Sequence, residues 1–341
     1  MPLRVSKLST AAVSVLAMSA ALVISGCSGA SAPTAKTAAS TTPKTGLIIC
    51  VCGPTSDAFF GAVKAGSDQA AKDLHLNYQY SAAANENNLA ADGVNLIKEA
   101  IAAKPAALVI GDYIPSAYDP YIKEATAKGI PVVINSVGID NWKADGAIGF
   151  VGEDPALMGS ETADDQINAG AKSGMCVNHS PGQGTLQARC DAYVADFQSK
   201  HLTAFTMDIP AADANTPQVV TQDITGELNS HPSVDAVFML GPPQAIDAVD
   251  AVQNIGRHVI VSTTDISLAV LQDVQDGKIL SDADQQPYLQ GYYAIEIAAQ
   301  YVQYKIAPAG GISTGPFMVT KANVANVLAV TAKYPGIRGF R

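Results

Sequence analysis

The chain is poor in positive charge. Lysine and arginine number 21 against 31 aspartates and glutamates, a formal net charge of −10. Such a balance leaves no basic footprint for a phosphate backbone, and nucleic acid is excluded as a partner. Aromatic residues make up 6% of the chain, with one tryptophan, too few to pave a long polysaccharide-stacking groove. Histidine is also scarce, and all five precede Ser313. The stretch Gly311-Ile312-Ser313-Thr314-Gly315 spells a nucleophile elbow, but that arrangement needs an acid and a histidine after the serine. No metalloprotease helix or phosphate loop is present, and Gly182-Gln183-Gly184 lacks the third glycine of a dinucleotide fingerprint. The chain therefore reads as a binder rather than an enzyme, with no cofactor and no metal.

Long apolar runs are missing too. The one candidate, residues 11–24, is short and rich in alanine and serine, which does not suit a transmembrane helix. It follows Arg4 and Lys7 and ends at Ile24-Ser25-Gly26-Cys27. Residues 1–26 read as a signal peptide. The small residues before Cys27 resemble a bacterial lipobox, which implies cleavage there, lipidation of Cys27 and an extracytoplasmic protein touching the cell membrane through its lipid anchor only. Residues 27–45 hold almost no large apolar side chain and read as a flexible tether. Outside the membrane disulfides persist. Cys176 and Cys190 flank a short loop and are expected to pair, which contributes on the order of 3 kcal/mol. Cys50 and Cys52 point to the same side of a strand and are expected as two buried thiols. No histidine stands near them at metal-ligand spacing.

From residue 46 onward the chain alternates. Leu47-Ile48-Ile49-Cys50-Val51-Cys52 is a short β-rich run, broken by Gly53-Pro54-Thr55-Ser56. Asp57 then precedes Phe59, Phe60, Val63 and Ala65, the start of a helical pattern. Strands are expected at 76–80, 106–110 and 132–134, with helices at 87–103 and 116–128 between them. The pattern resumes at 147–151 and continues to 259–262 as a second half. A strand at 279–283, a long helix at 288–304 and a short strand at 316–320 follow. Strand, helix and short loop recurring about every thirty residues are the mark of βαβ units and parallel sheets. In open sheets of this kind ligands sit beyond the carboxyl ends of the strands.

Asp57-Ala58-Phe59-Phe60, Ile130-Pro131-Val132-Val133, the loop at Asp265 and the segment 284–291 occur in an order and spacing that resembles the type I periplasmic sugar-binding proteins, the ribose-binding-like substrate-binding subunits of ABC importers. The resemblance implies an α/β fold of two Rossmann-like lobes with parallel sheets joined by a three-strand hinge. Crossings are expected near 135–138, 283–287 and 310–315. The lobes then comprise 46–137 plus 286–312, and 138–285 plus 313–341. The implied protein is a monomer that captures a monosaccharide or sugar alcohol by hinge closure and passes it to an ABC permease and its ATPase. A sensor lipoprotein for a sugar-like signal, such as a furanosyl autoinducer, would use the same cleft.

The resemblance also nominates ligand contacts. Phe59 and Phe60 match an aromatic wall, with one ring expected toward the core and one toward ligand. Asp57 matches a polar contact or is a helix N-cap. Asp112 ends a strand at the cleft or is a turn aspartate. Asn135 lies at the first expected crossing, where its amide serves ligand or backbone. Arg189, or Gln187 if the register shifts by two, matches a contact in the second lobe, and Arg189 can instead pair within its lobe. His179 follows a strand and reads as structural. Asp265 matches a ligand carboxylate, and Gln285 a glutamine of the hinge. Gly241-Pro242-Pro243 replaces a polar pair often found there, which favours a smaller or acyclic polyol, since that needs fewer fixed partners.

Overall fold

The computed structural model describes residues 46–84 and 88–338. The signal peptide, Cys27 and the whole of the tether lie outside the described residues. Among the described residues no helix is long and apolar enough to cross a membrane.

The first sheet is built from β1 (Ile48–Val51), β2 (Tyr78–Ser81), β3 (Ala107–Ile110), β4 (Val132–Ser136), β5 (Gly149–Glu153) and β11 (Ile312–Gly315), in the order β11-β5-β4-β3-β1-β2. The second is built from β6 (Ser173–Asn178), β7 (Thr203–Asp208), β8 (Ala236–Met239), β9 (Ile260–Thr264), β10 (Ser281–Asp284) and β12 (Phe317–Thr320), in the order β12-β10-β9-β8-β6-β7. Each pairing is parallel except β10 with β12.

Both sheets are covered on two faces, which is why the central strands β1, β3 and β8 are continuous apolar runs. In the first sheet, Leu108, Ile110, Ile134 and Phe150 pack toward α2 (Leu89–Ala102) and α3 (Pro115–Ala127). Ile48, Val109, Val133 and Val151 face α9 (Pro287–Tyr304) on the other side. Helix α1 (Ala58–Asp73) lies against α9 at backbone distance. A Cβ on Gly66 would stand 1.9 Å from the Tyr288 carbonyl oxygen, and one on Gly291 1.9 Å from that of Val63. In the second sheet, Val237, Met239 and Val261 pack toward α6 (Pro217–Ser230), α7 (Pro242–Ile255) and α8 (Leu268–Asp276), while Ala236 and Phe238 face α4 (Pro155–Asn168) and α5 (Gly184–Ser199).

Two expectations need correction. The first crossing is not at 135–138. After β4 the chain makes a turn over 137–147 and returns as β5 beside β4, with Asn135 opposite Val151. The crossing comes after Glu153, so residues 138–153 belong with the first sheet. The other crossings lie between β10 and α9 and between β11 and β12. Secondly, Cys50 and Cys52 are not free thiols but a disulfide, with Cα atoms 5.6 Å apart. A regular strand would hold alternate Cα atoms about 6.6 Å apart; β1 ends at Val51 and the chain turns at Gly53-Pro54, which draws the two together. Cys176 and Cys190 are also joined, tying β6 to α5.

The three crossing segments are hydrogen-bonded to one another. The Thr314 hydroxyl donates to the Gln285 carbonyl at 2.8 Å, with the Gly152 carbonyl at 3.3 Å. The Gln286 amide donates to the Thr314 carbonyl at 2.6 Å.

Candidate functional site

A cavity of about 330 Å³ opens at the carboxyl ends of strands from both sheets. Asp57, Ala58 and Phe59 enter it from the turn after β1. Pro242 and Pro243 come from the start of α7, and Asp265, Ile266 and Ser267 from the turn after β9. Asp284 and Pro287 flank the second crossing, and Arg338 arrives from beyond α10 (Val324–Lys333). A slightly larger hollow, about 380 Å³, lies at the opposite, amino ends of β9 and β10 and is lined by the second lobe alone.

Local structure fixes each wall. Asp57 caps α1, its Oδ1 accepting from the Phe59 amide at 2.6 Å. That cap sets the first helical turn, so Phe59 stays half-buried on the cavity side while Phe60 turns inward, 8% exposed. Phe60 packs edge-on against Phe59 and Tyr113, each ring pair 5.1 Å apart. Ser267 caps α8 in the same manner, accepting from the Val270 amide. Asp265 and Gln286 hold left-handed φ values of 66° and 55°. Such conformations are costly for residues with a side chain and concentrate at functional sites.

Asp265 is the best-supported group in the cavity. Gln285 donates its amide to Asp265 Oδ1 at 2.6 Å. Burial pushes the Asp265 carboxyl up, while Arg189 and the Gln285 hydrogen bond pull it back toward the charged form. Behind it Arg189 reaches Glu153 through Nη2 at 2.6 Å and Nε at 3.2 Å, and Thr264 Oγ1 through Nη1 at 3.1 Å. Burial works against the Arg189 charge, but Glu153 and Asp265 outweigh it and hold its pKa above the ordinary value. Asp284 is paired with Arg338, and the Arg338 guanidinium lies over the Phe317 ring. Burial raises the Asp284 carboxyl to about 6 in spite of that partner.

Of the nine residues proposed from sequence to touch ligand, Asp57, Phe59 and Asp265 line the cavity and Gln285 holds Asp265. Phe60 stands in the core behind Phe59. Asn135 is fully buried and its amide is engaged at both ends: Nδ2 donates to the Gln290 carbonyl and Oδ1 accepts from Ser136. It braces β4 against α9. Gln187 is occupied with Asp191 and Asn178. Arg189 lies beneath the cavity and pairs across to β5 rather than within its lobe. Asp112 is not among the residues lining the cavity and meets Asp119 and Asp145. His179 also lies outside the lining; burial, then Arg189, lower its pKa to about 4.

Sequence reasoning missed Glu153, Ser267, Asp284 and Arg338. Ser267 carried a readable signal, a serine just before a helical run. Arg338 carried none, since nothing in its neighbourhood marks where the tail returns.

A family model described as the periplasmic binding protein domain matches residues 48–306. The chain belongs to this family. Its members bind solutes and are not enzymes. Among solved structures it resembles a carbohydrate transporter from Acidothermus cellulolyticus in complex with myo-inositol, at 30% identity, covering 88% of this chain and all of that one, with a TM-score of 0.73. The ribose import binding protein RbsB of Bacillus subtilis is 24% identical over 84% of this chain and 92% of its own length. The xylose/arabinose-binding protein XylF of Sulfolobus acidocaldarius is 24% identical over 85% of this chain and 74% of its own. The two-lobed α/β architecture of this periplasmic binding protein is thus that of type I members.

Proposed function

We propose that this protein is the substrate-binding subunit of an ABC importer and captures one neutral cyclic polyol or monosaccharide between its lobes. The observation that carries the reading is the composition of the cavity. Three carboxylates, Asp57, Asp265 and Asp284, stand on one half-buried aromatic ring and three prolines. Carboxylates accept from hydroxyl pairs, while rings and prolines pack on the C–H face of a sugar or cyclitol. Both nearby guanidinium groups are already committed, Arg189 to Glu153 and Arg338 to Asp284. An anionic solute would find no free partner in them. The volume, about 330 Å³, falls at the lower end of small-molecule sites, which suits a single ring. The myo-inositol held by the relative at 30% identity makes cyclitols the first class to try.

The importer role draws support from relatives whose names state transport of sugars. No observation favours the sensor reading. The lobes would close about the three crossings, and Cys27, if lipidated, would tether the closed form beside its permease.

A thermal-shift panel tests the ligand class, with myo-inositol and its epimers, pentoses, hexoses, linear polyols and amino acids. A ligand at a hundredfold over its dissociation constant adds about 2.7 kcal/mol. The expected result is a shift with a cyclitol or monosaccharide that Asp265→Ala abolishes. A shift with amino acids alone would overturn the reading.

A further inference from the structure

We propose that the first lobe carries a cation site in which the carboxylates of Asp112, Asp119 and Asp145 bind one hard divalent ion, Ca2+ by preference. The site is separate from the ligand cavity and does not depend on the ligand proposed for it.

Three elements converge here. Asp112 follows the end of β3, Asp119 lies in the second turn of α3, and Asp145 ends the turn between β4 and β5. One carboxylate oxygen from each lies within 4.8 Å of the others. Oxygens ligating one Ca2+ at about 2.3–2.6 Å span just such distances. Gly138, with φ of 115°, lets the turn pass close: a Cβ there would stand 3.0 Å from Asp112 Cβ.

Buried carboxylate oxygens of the cluster are left without a donor. Asp112 is 1% exposed, and its Oδ1 has no partner. Asp145 is 2% exposed, and its Oδ2 has none either. Buried carboxylate oxygens left this way are costly. The Asp119 Oδ1 is also buried without a partner. The positive charge at hand is Lys123, whose Nζ lies 3.0 Å from Asp145 Oδ1 from a half-exposed position. One lysine cannot balance three carboxylates.

The donor set selects the ion. It is all oxygen, without histidine or cysteine, which suits Ca2+, Mg2+ or Mn2+ over zinc. Asn141 helps to place Asp119: its Nδ2 donates to Asp119 Oδ2 at 3.4 Å. A cation held here would fasten the turn over 137–147 to β3 and α3.

The test uses the full chain, stripped with a chelator and dialysed. Trp142, the single tryptophan, sits in the same turn. Terbium alone, excited through Trp142, should give sensitised emission that Ca2+ displaces. Ca2+ at about 10 mM, well above the range typical of extracellular sites, should raise Tm by about 3 °C or more. Asp119→Asn and Asp145→Asn should abolish both effects, and Asp119, being partly exposed, keeps the fold intact when changed. No sensitised emission and no shift with Ca2+, Mg2+ or Mn2+ would overturn the proposal. So would emission and a shift that persist in both variants, since the ion would then bind elsewhere.

Discussion

The Arg189 guanidinium and the Glu153 carboxylate form a two-point ion pair, each side chain 3% exposed, at the place where the chain first leaves one sheet for the other. Glu153 closes β5 in the first sheet, and Arg189 stands on a helix of the second lobe. The pair joins the lobes beneath the cavity and supplies a positive charge that opposes the upward shift burial gives Asp265. Removing one partner of a buried pair is far costlier than removing both. Arg189→Met should therefore lower unfolding stability by about 3–5 kcal/mol, and Arg189→Met with Glu153→Leu should recover most of that loss. Urea denaturation of the two variants measures both. Equal losses in the single and double variants would mean the pair is not the source of the effect.

Adjacent phenylalanines should behave differently. Phe60→Ala empties a core position against Gly53 and Tyr113 and should cost about 3–5 kcal/mol of stability. Phe59→Ala removes a half-buried ring from the cavity wall. Stability should change little, whereas ligand affinity should fall roughly tenfold, about 1.4 kcal/mol. Calorimetric titration with the best ligand, beside denaturation, separates the two effects.

His179 makes stability depend on pH in a definite direction. Its pKa falls from 6.5 to about 4 in the fold, so between those values the unfolded chain binds more protons. The contribution is complete above pH 6.5 and is lost as pH falls toward 4. Asp284, raised to about 6, acts oppositely, favouring the fold as it takes up a proton below that value. His179→Gln should thus show a smaller loss of stability than the parent between pH 7 and pH 5, measured by denaturant midpoints. An identical pH profile in the variant would contradict this.

The two disulfides should differ in what they contribute. Cys176–Cys190 closes a loop with a sequence separation of 14, worth about 3 kcal/mol in the chain-entropy model. Cys50–Cys52 spans a separation of 2 and restricts the unfolded chain far less. Replacing Cys176 and Cys190 by serine should lower the denaturation midpoint clearly more than replacing Cys50 and Cys52.

Alternation and turn chemistry made the two parallel sheets legible in the sequence, because the central strands β1, β3 and β8 are buried on both faces and most helices start at a side-chain cap or a proline. Asp57, Phe59 and Asp265 were legible for a related reason: each lies in or just after the turn that follows a strand end, so its place at the cleft is local. Sheet membership is not local. Residues 149–153 follow a long turn and read as a new beginning, yet hydrogen bonding sets them beside β4. Asn135 was assigned to ligand because it stands at a strand end, and Arg189 because the resemblance matched it to a contact in the second lobe; the structure spends their bonds on Gln290, Ser136, Glu153 and Thr264. Arg338 comes from the far end of the chain, and its place beside Asp284 follows from the path of the tail alone.

The strands on either side of Gly315–Pro316 carry a consequence for how the protein is made. β11 closes the edge of the first sheet and β12 that of the second, and they are consecutive in the last tenth of the chain. A ribosome that has released residues up to 311 has produced neither lobe in finished form. Both halves await the same short segment, residues 312–320, so the two lobes are completed together when it is in place.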